Sequence, residues 1–279
     1  MGVGIMWNIC RGLALGIAAV MMVIISPISH HALAQEAEKL IVEADTSLQW
    51  KRADKQYVAT GNASATRGDT RLTADVIIAD YVDAVGKDSQ NKEVTNTTIT
   101  HILGQNNAKF TRGSFVATGE TITYDMTNQN AVMTGKNARI VNGDETLTAT
   151  DSIQYDRAAK LITATGNAHV VLSNGQELKG NIIKATLNAE ENDIIHVFAA
   201  ENAEVYAPGK NGPQEAFAGE MTYTKDTGIA ILTENVTIKD GGNIMNGDKA
   251  IIDTIKGTST MSSTKSGQRV GGVFLPTQQ

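Results

Sequence analysis

Cysteine is almost missing from this chain. The single one, Cys10, stands ahead of an N-terminal apolar run rather than after it, so it does not read as a lipid-attachment cysteine. Everything downstream lacks a thiol, which excludes disulfides and thiolate metal sites there. Aromatic residues are also scarce, at 5% of 279 residues. That leaves few bulky groups for a dense core, few platforms for sugars, and none of the interfacial girdles of an outer-membrane barrel. Positive charge is short as well: 24 Lys and Arg against 30 Asp and Glu give a net charge of −6. Such a balance argues against nucleic acid and against general adhesion to anionic membranes. No stretch shows a convincing 3.6-residue period with caps, and no glycine-rich phosphate loop is present.

The start of the chain carries the one long apolar run. Arg11 precedes it, Leu13 to Ile25 forms it, and Pro27 and Ala32-Leu33-Ala34 follow. A charged start, a short apolar stretch and a small-x-small site make a secretory signal peptide. The run is shorter than the roughly 20 residues a membrane span needs. Residues 1–34 are therefore expected to be cleaved, leaving 35–279 as a single domain, with an uncleaved anchor as the alternative.

What the chain has in quantity is a repeat. "GNASATRGDTRLTADVIIAD" (61–80), "GKNARIVNGDETLTATDSIQYD" (135–156) and "GNAHVVLSNGQELKGNIIKA" (166–185) share one plan. An Asn precedes Ala or Val, alternating residues follow, then a Gly or Asn-Gly turn and a second alternating run. The recurring asparagines are Asn62, Asn107, Asn137, Asn167, Asn202 and Asn235, spaced 30 to 45 residues apart. A period of that order marks repeat architecture. Alternation makes each unit two antiparallel strands, and Asn142-Gly143, Asn174-Gly175 and Asn246-Gly247 supply positive-φ hairpin turns. Residues 85–93 and 207–216 read as exposed polar loops, 256–268 as a flexible segment, and 269–276 as a final apolar strand.

Alternation assigns one face to Ala138 and Ile140, to Ala168, Val170 and Leu172, and to Val236 and Ile238. Leu72 and Val76 extend that face by the same period. Medium aliphatics and alanines cannot fill a wide space between two sheets. Either an elongated apolar slot remains, suited to acyl chains, or the sheets sit closer and pack tightly. In a slot each buried CH₂ contributes roughly 0.8 kcal/mol, so a dozen methylenes supply about 10 kcal/mol before ordering costs.

"LIVEADTSLQW" (40–50), "TGNASATRGDTRLTADVII" (60–78), "MTYTKDTGIAILTENVTIKDGGNIMNGDKAII" (221–252) and "RVGGVFLP" (269–276) resemble successive blocks of the LptA/OstA-like family of periplasmic lipopolysaccharide-transport proteins. The middle, about 100–215, looks like further copies of the same unit, so the chain is an extended member. The resemblance implies an all-β fold: an elongated, twisted two-sheet OstA-like β-jellyroll, open at both ends. It implies that lipid A acyl chains lie between the sheets. It also implies a periplasmic bridge stacked head to tail through edge strands, with inner- and outer-membrane transport proteins as partners. Leu40 and Val42 fall in the family's first strand, where lipid contact is implied. The first and last strands carry apolar alternation without edge protection, which suits a non-closing filament. Arg67, Arg71, Lys109, Arg112 and Arg139 are candidates to meet phosphates at the rim, against the alternative of solvated surface charge.

Catalytic chemistry is not evident. His101, His169 and His196 are far apart and form no metal-spaced pair, so no metal or other cofactor is expected. Ser262 and Lys265 form a Ser-x-x-Lys inside a Ser/Thr tail, without companion motifs. The expected function is thus a non-enzymatic lipopolysaccharide carrier. The competing readings are a structural or adhesive β-solenoid without lipid, a membrane-anchored partner of the same system, and a polysaccharide-active enzyme on a β scaffold.

Overall fold

Five of the six recurring asparagines adopt the left-handed conformation: Asn62, Asn107, Asn167, Asn202 and Asn235 have φ between 42° and 70°. Each follows a second left-handed residue, namely Gly61, Asn106, Gly166, Glu201 and Glu234. An L side chain in this region costs roughly 1–2 kcal/mol, and Asn and Gly tolerate it best. Two such residues in succession insert a bulge. The strand register breaks between Thr60 and Ala63, Gln105 and Ala108, Thr165 and Ala168, Ala200 and Ala203, and Thr233 and Val236. A bulge bends its strand and sharpens the local twist, so the motif that marks the repeat also folds it.

The computed structural model describes residues 40–87, 93–191, 193–209, 212–263 and 269–274. The predicted leader, residues 1–34, lies outside them. No helix occurs among the described residues, and all pairings are antiparallel within one hydrogen-bonded, 18-stranded sheet. Ten long strands form it: β3 (Gln56–Arg67), β4 (Thr70–Lys87), β5 (Glu93–Arg112), β6 (Phe115–Asp125), β11 (Leu161–Val171), β12 (Glu177–Leu187), β13 (Ile194–Ala207), β14 (Gln214–Thr224), β15 (Ile229–Asp240) and β16 (Asn243–Asp253). The others are half-strands, and their pairing shows how the sheet is folded. β1 (Ile41–Glu43) and β2 (Ser47–Lys51) pair the two halves of β3. β7 (Asn130–Thr134) and β8 (Ala138–Asn142) pair the two halves of β6. β9 (Glu145–Ala149) and β10 (Ser152–Asp156) pair the two halves of β11. β17 (Thr258–Ser262) and β18 (Gly271–Val273) pair the two halves of β16. The result is two facing half-sheets joined along a corner of bulges, a lengthwise-folded jellyroll.

Small side chains line the inside of that corner. Ala63 stands opposite Ala74, Ala108 opposite Gly119, Ala138 opposite Ala149, Ala168 opposite Gly180, and Ala203 opposite Ala218. The half-sheets converge there, and the one larger corner residue, Val236, is accommodated opposite Gly247. A Cβ on Gly119 would lie 2.8 Å from Met133 Cγ and 2.9 Å from the Thr134 carbonyl oxygen. The abundance of Ala and Gly therefore has a geometric cause.

Four sequence expectations change. Residues 85–87 and 93 belong to strands rather than to a loop, because β4 and β5 run on as a paired hairpin from Tyr81↔Ile99 to Lys87↔Glu93. Thr-rich arms favour that extension. The loop expected over 207–216 is shorter, since β13 reaches Ala207 and β14 begins at Gln214. Within the segment expected to be flexible, Thr258–Ser262 pairs with Lys249–Asp253; its Ser/Thr composition hid a strand that extends the sheet edge. Of the final apolar stretch, only Gly271–Val273 is strand; residues 264–268 and 275–279 lie outside the described set.

Two substitutions test the corner. Asn167→Gly is expected to leave stability within about 0.5 kcal/mol, while Asn167→Val loses about 1–2 kcal/mol at its φ of 42°. Gly119→Ala is expected to cost about 1–3 kcal/mol through overpacking. Urea denaturation measures all three.

Candidate functional site: the folded interior

Because strand register is continuous, inward residues stack into rows running the length of the molecule. In the first half-sheet, Val42 stands opposite Ala65, Ala65 opposite Leu72, Leu72 opposite Phe110, and Phe110 opposite Ala117. The same row continues through Ile140, Leu147, Val170 and Leu178, then through Val205 and Ala216 to Ile238. Five of the nine residues singled out from the sequence thus share one row: Val42, Leu72, Ile140, Val170 and Ile238. Leu172 and Val236 are buried too, at 3% and 1% exposure. Leu40 lies just before β1 and is exposed.

Val76 is a correction. It aligns with Thr60 and Gln105, while its neighbour Ile77 aligns with Ala59 and Gly104 and is buried at 4%. The unbulged strands change parity at the corner: Leu72 and Ala74 face inward before it, Ile77 and Tyr81 after it. The same step occurs in β12, from Leu178 to Ile183, and in β14, from Ala216 to Met221. Extrapolating period two across the corner places Val76 on the wrong face.

The interior is not uniform. From Phe115 to Ile252 one continuous apolar cluster is sealed, with Ile140 at 0%, Val170 at 2% and Leu178 at 1% exposure. Its edge is clasped by polar contacts. The Tyr155 hydroxyl donates to Glu191 Oε2 at 2.7 Å, and Arg157 Nε lies 3.4 Å from Glu191 Oε1. Burial pushes the Tyr155 phenol up, and its hydrogen bond to Glu191 adds to that. Ahead of Phe115 the packing is thinner. A separate small cluster holds Ala59, Ala63, Leu72, Ala74, Ile77 and Ala108, and Ala44, Ala65, Ile102 and Phe110 are only partly buried. At its end Val42 is 37% and Leu48 60% exposed. Of the two packings left open by the sequence, the tight one describes 115–252, and the N-terminal section is open.

The predicted rim cations divide. Arg67 and Arg112 share a row with Thr70 at the free lip of the first half-sheet, and Arg112 Nε lies 3.5 Å from Asp69. Arg71, Lys109 and Arg139 instead align with Thr66, Thr73 and Thr148 on its outward face, away from the interior. The histidines are dispersed: His101 Nδ1 is 3.2 Å from Asp80, His169 Nε2 is 2.9 Å from Glu177, and His196 aligns with Thr186 and Thr224. Burial works to raise the Glu177 pKa, but the His169 hydrogen bond and charge prevail and hold it down. No group of three metal-ligating side chains occurs among the described residues. Leu48, Trp50, Tyr57 and Ile102 line the open section and escaped the sequence reading. Alternation from Leu48 to Trp50 was the available signal.

A protein-family model, described as LptA/(LptD N-terminal domain) LPS transport protein, matches the chain twice, over residues 41–160 and 149–258. The chain belongs to this family. The two matches to the LptA/LptD N-terminal model overlap on β10, which pairs β7 of the first copy and β11 of the second. Tandem copies therefore share one uninterrupted sheet. A solved structure, LptH, the LptA-homologous periplasmic component of the lipopolysaccharide transport device from Pseudomonas aeruginosa, is similar at 19% identity and a TM-score of 0.40, over 47% of this chain and 95% of that one. No curated protein matches. Membership of the LptA/LptD N-terminal family associates the chain with lipopolysaccharide transport.

The contrast between sections is measurable. Ile140→Ala is expected to cost about 2–5 kcal/mol in a chemical melt, whereas Val42→Ala, at an already exposed position, is expected to cost less than about 1 kcal/mol.

Proposed function

We propose that the chain is a periplasmic, non-enzymatic carrier that holds the acyl chains of lipid A and passes lipopolysaccharide from the inner toward the outer membrane. After loss of residues 1–34, residues 35–279 act as one domain. Its end strands β1 and β18 stack head to tail with further copies or with membrane-bound transport proteins. The observation that carries the reading is the graded interior: one apolar row begins exposed at Val42 and ends sealed.

Magnitudes decide where lipid enters. Parting the half-sheets at Ile140, Leu147, Val170 and Leu178 would expose four fully buried aliphatics. That costs on the order of 10 kcal/mol at about 1.5–3 kcal/mol each, comparable to the whole stability of a typical domain. Docking against exposed Val42 and partly buried Ala65 and Phe110 disturbs only the small cluster that holds Leu72. Acyl chains therefore lodge first in the N-terminal section. Passage along Ile140, Val170, Leu172, Val236 and Ile238 requires the half-sheets to separate as methylene burial replaces side-chain burial.

One observation favours a second reading. The sealed cluster over 115–252 is what a structural β-solenoid without lipid would have. Photocrosslinkers placed at Val42, Ile140 and outward-facing Val171 in cells separate the two. Lipopolysaccharide adducts at Val42 and not at Val171 are expected, with adducts at Ile140 marking passage into the sealed 115–252 section. Silence at both Val42 and Ile140 would sink the carrier and leave the solenoid.

A further inference from the structure

The open section has a lip whose chemistry acyl chains do not use. Trp50, the only tryptophan after Trp7, donates its indole N–H to the Tyr81 hydroxyl at 2.7 Å. It stacks on Tyr57 with ring centroids 5.8 Å apart, and Tyr57 lies 4.8 Å from Tyr81. Tyr81 is 3% exposed and anchors the group, yet Trp50 remains 52% exposed. The Arg52 guanidinium sits 4.0 Å over the indole. Lys55, at the other end of the same turn, pairs with Asp83, whose hydrogen bond raises the Lys55 pKa and keeps it cationic. In a chain with so few aromatics, three are thus fixed at one spot, with the largest left half in water.

The opposite lip is also basic. β3 begins beside this aromatic group and ends at Arg67, folding at Asn62 between them, so its two ends reach the two lips. Arg52 and Arg67 are exposed, and neither has a carboxylate within ion-pair distance among the described residues. Unneutralised arginines therefore flank the mouth of an apolar section, in a protein of net charge −6.

We infer that this mouth binds the phosphorylated saccharide headgroup of the lipid whose chains the open section holds, an inference that rests on the carrier reading above. The guanidinium fork matches phosphate geometry, and stacking on the indole holds Arg52 in place. Trp50 offers an amphipathic ring to the sugar at the boundary between apolar interior and water. Arg67 meets phosphate from the other lip.

The test uses the full chain carrying Trp7→Phe, so that Trp50 is the only indole. The probes are diphosphorylated lipid A, the same lipid A with both phosphates removed, and inorganic phosphate. Diphosphorylated lipid A is expected to shift Trp50 emission and to bind about tenfold or more tighter than the dephosphorylated form. Arg52→Gln with Arg67→Gln should remove that difference, about tenfold per lost charge-assisted bond at most, and leave dephosphorylated binding unchanged. Both arginines are exposed, so the variant should melt at the parent temperature. Equal binding of the two lipids by the parent, or an unchanged preference in the variant, would overturn the headgroup site alone. The same emission shift with inorganic phosphate at matched concentration would also overturn it, as a free-phosphate site. Binding of neither lipid would instead sink the carrier reading itself.

Discussion

Paired left-handed residues at the middle of the long strands are the constraint on which the rest depends. A strand of alternating residues tends to continue straight, and a sheet of such strands would present one flat apolar face to water. The bulges at Gly61-Asn62, Asn106-Asn107, Gly166-Asn167, Glu201-Asn202 and Glu234-Asn235 bend the strands at a common level. The sheet folds lengthwise, and its apolar face closes on itself. The cost of holding Glu or Asn at positive φ, roughly 1–2 kcal/mol each, is offset by burial of rows of aliphatics at about 1.5–3 kcal/mol per side chain.

Interior shape follows from the same bend. The half-sheets converge at the corner, where Ala and Gly predominate, and diverge toward their free lips, where Ile, Leu and Tyr fill the space. From Phe115 to Ile252 one continuous cluster fills it, and the Tyr155–Glu191–Arg157 contacts close the edge. Ahead of Phe115 the inward row is made of Val42, Ala65, Leu72 and Phe110, and two end half-strands replace a full partner strand. The result is one sheet with two kinds of interior: a closed scaffold and an open apolar bay with a basic, aromatic mouth.

Much of this was legible in the sequence. The 30-residue repeat, the β assignment, and the inward facing of Ile140, Val170, Leu172, Val236 and Ile238 follow from alternation within single arms of strands. What alternation does not carry is the corner. A bulge adds a residue to one strand and a parity step to its neighbour, so Val76, four residues after Leu72, leaves the inward face while Ile77 joins it. The Thr258–Ser262 strand was hidden for a different reason, because its composition is that of a flexible tail while its place is set by pairing back onto β16, from Asp253↔Thr258 to Lys249↔Ser262. Closure of 115–252 was equally invisible, since the spacing between half-sheets is set by the corner geometry and not by any local residue pattern. Trp50 and Arg52 gain their meaning only from lying at a lip.

The section ahead of Phe115 is open, and the section from Phe115 to Ile252 is sealed. Hydrogen–deuterium exchange with and without lipopolysaccharide tests this most directly. Amides in β3 to β5 should exchange faster in the free protein and slow on lipid addition, while those in β11 to β15 stay slow in both states at sub-stoichiometric lipid. Uniform exchange along the sheet, or a lipid response confined to β11–β15, would contradict it.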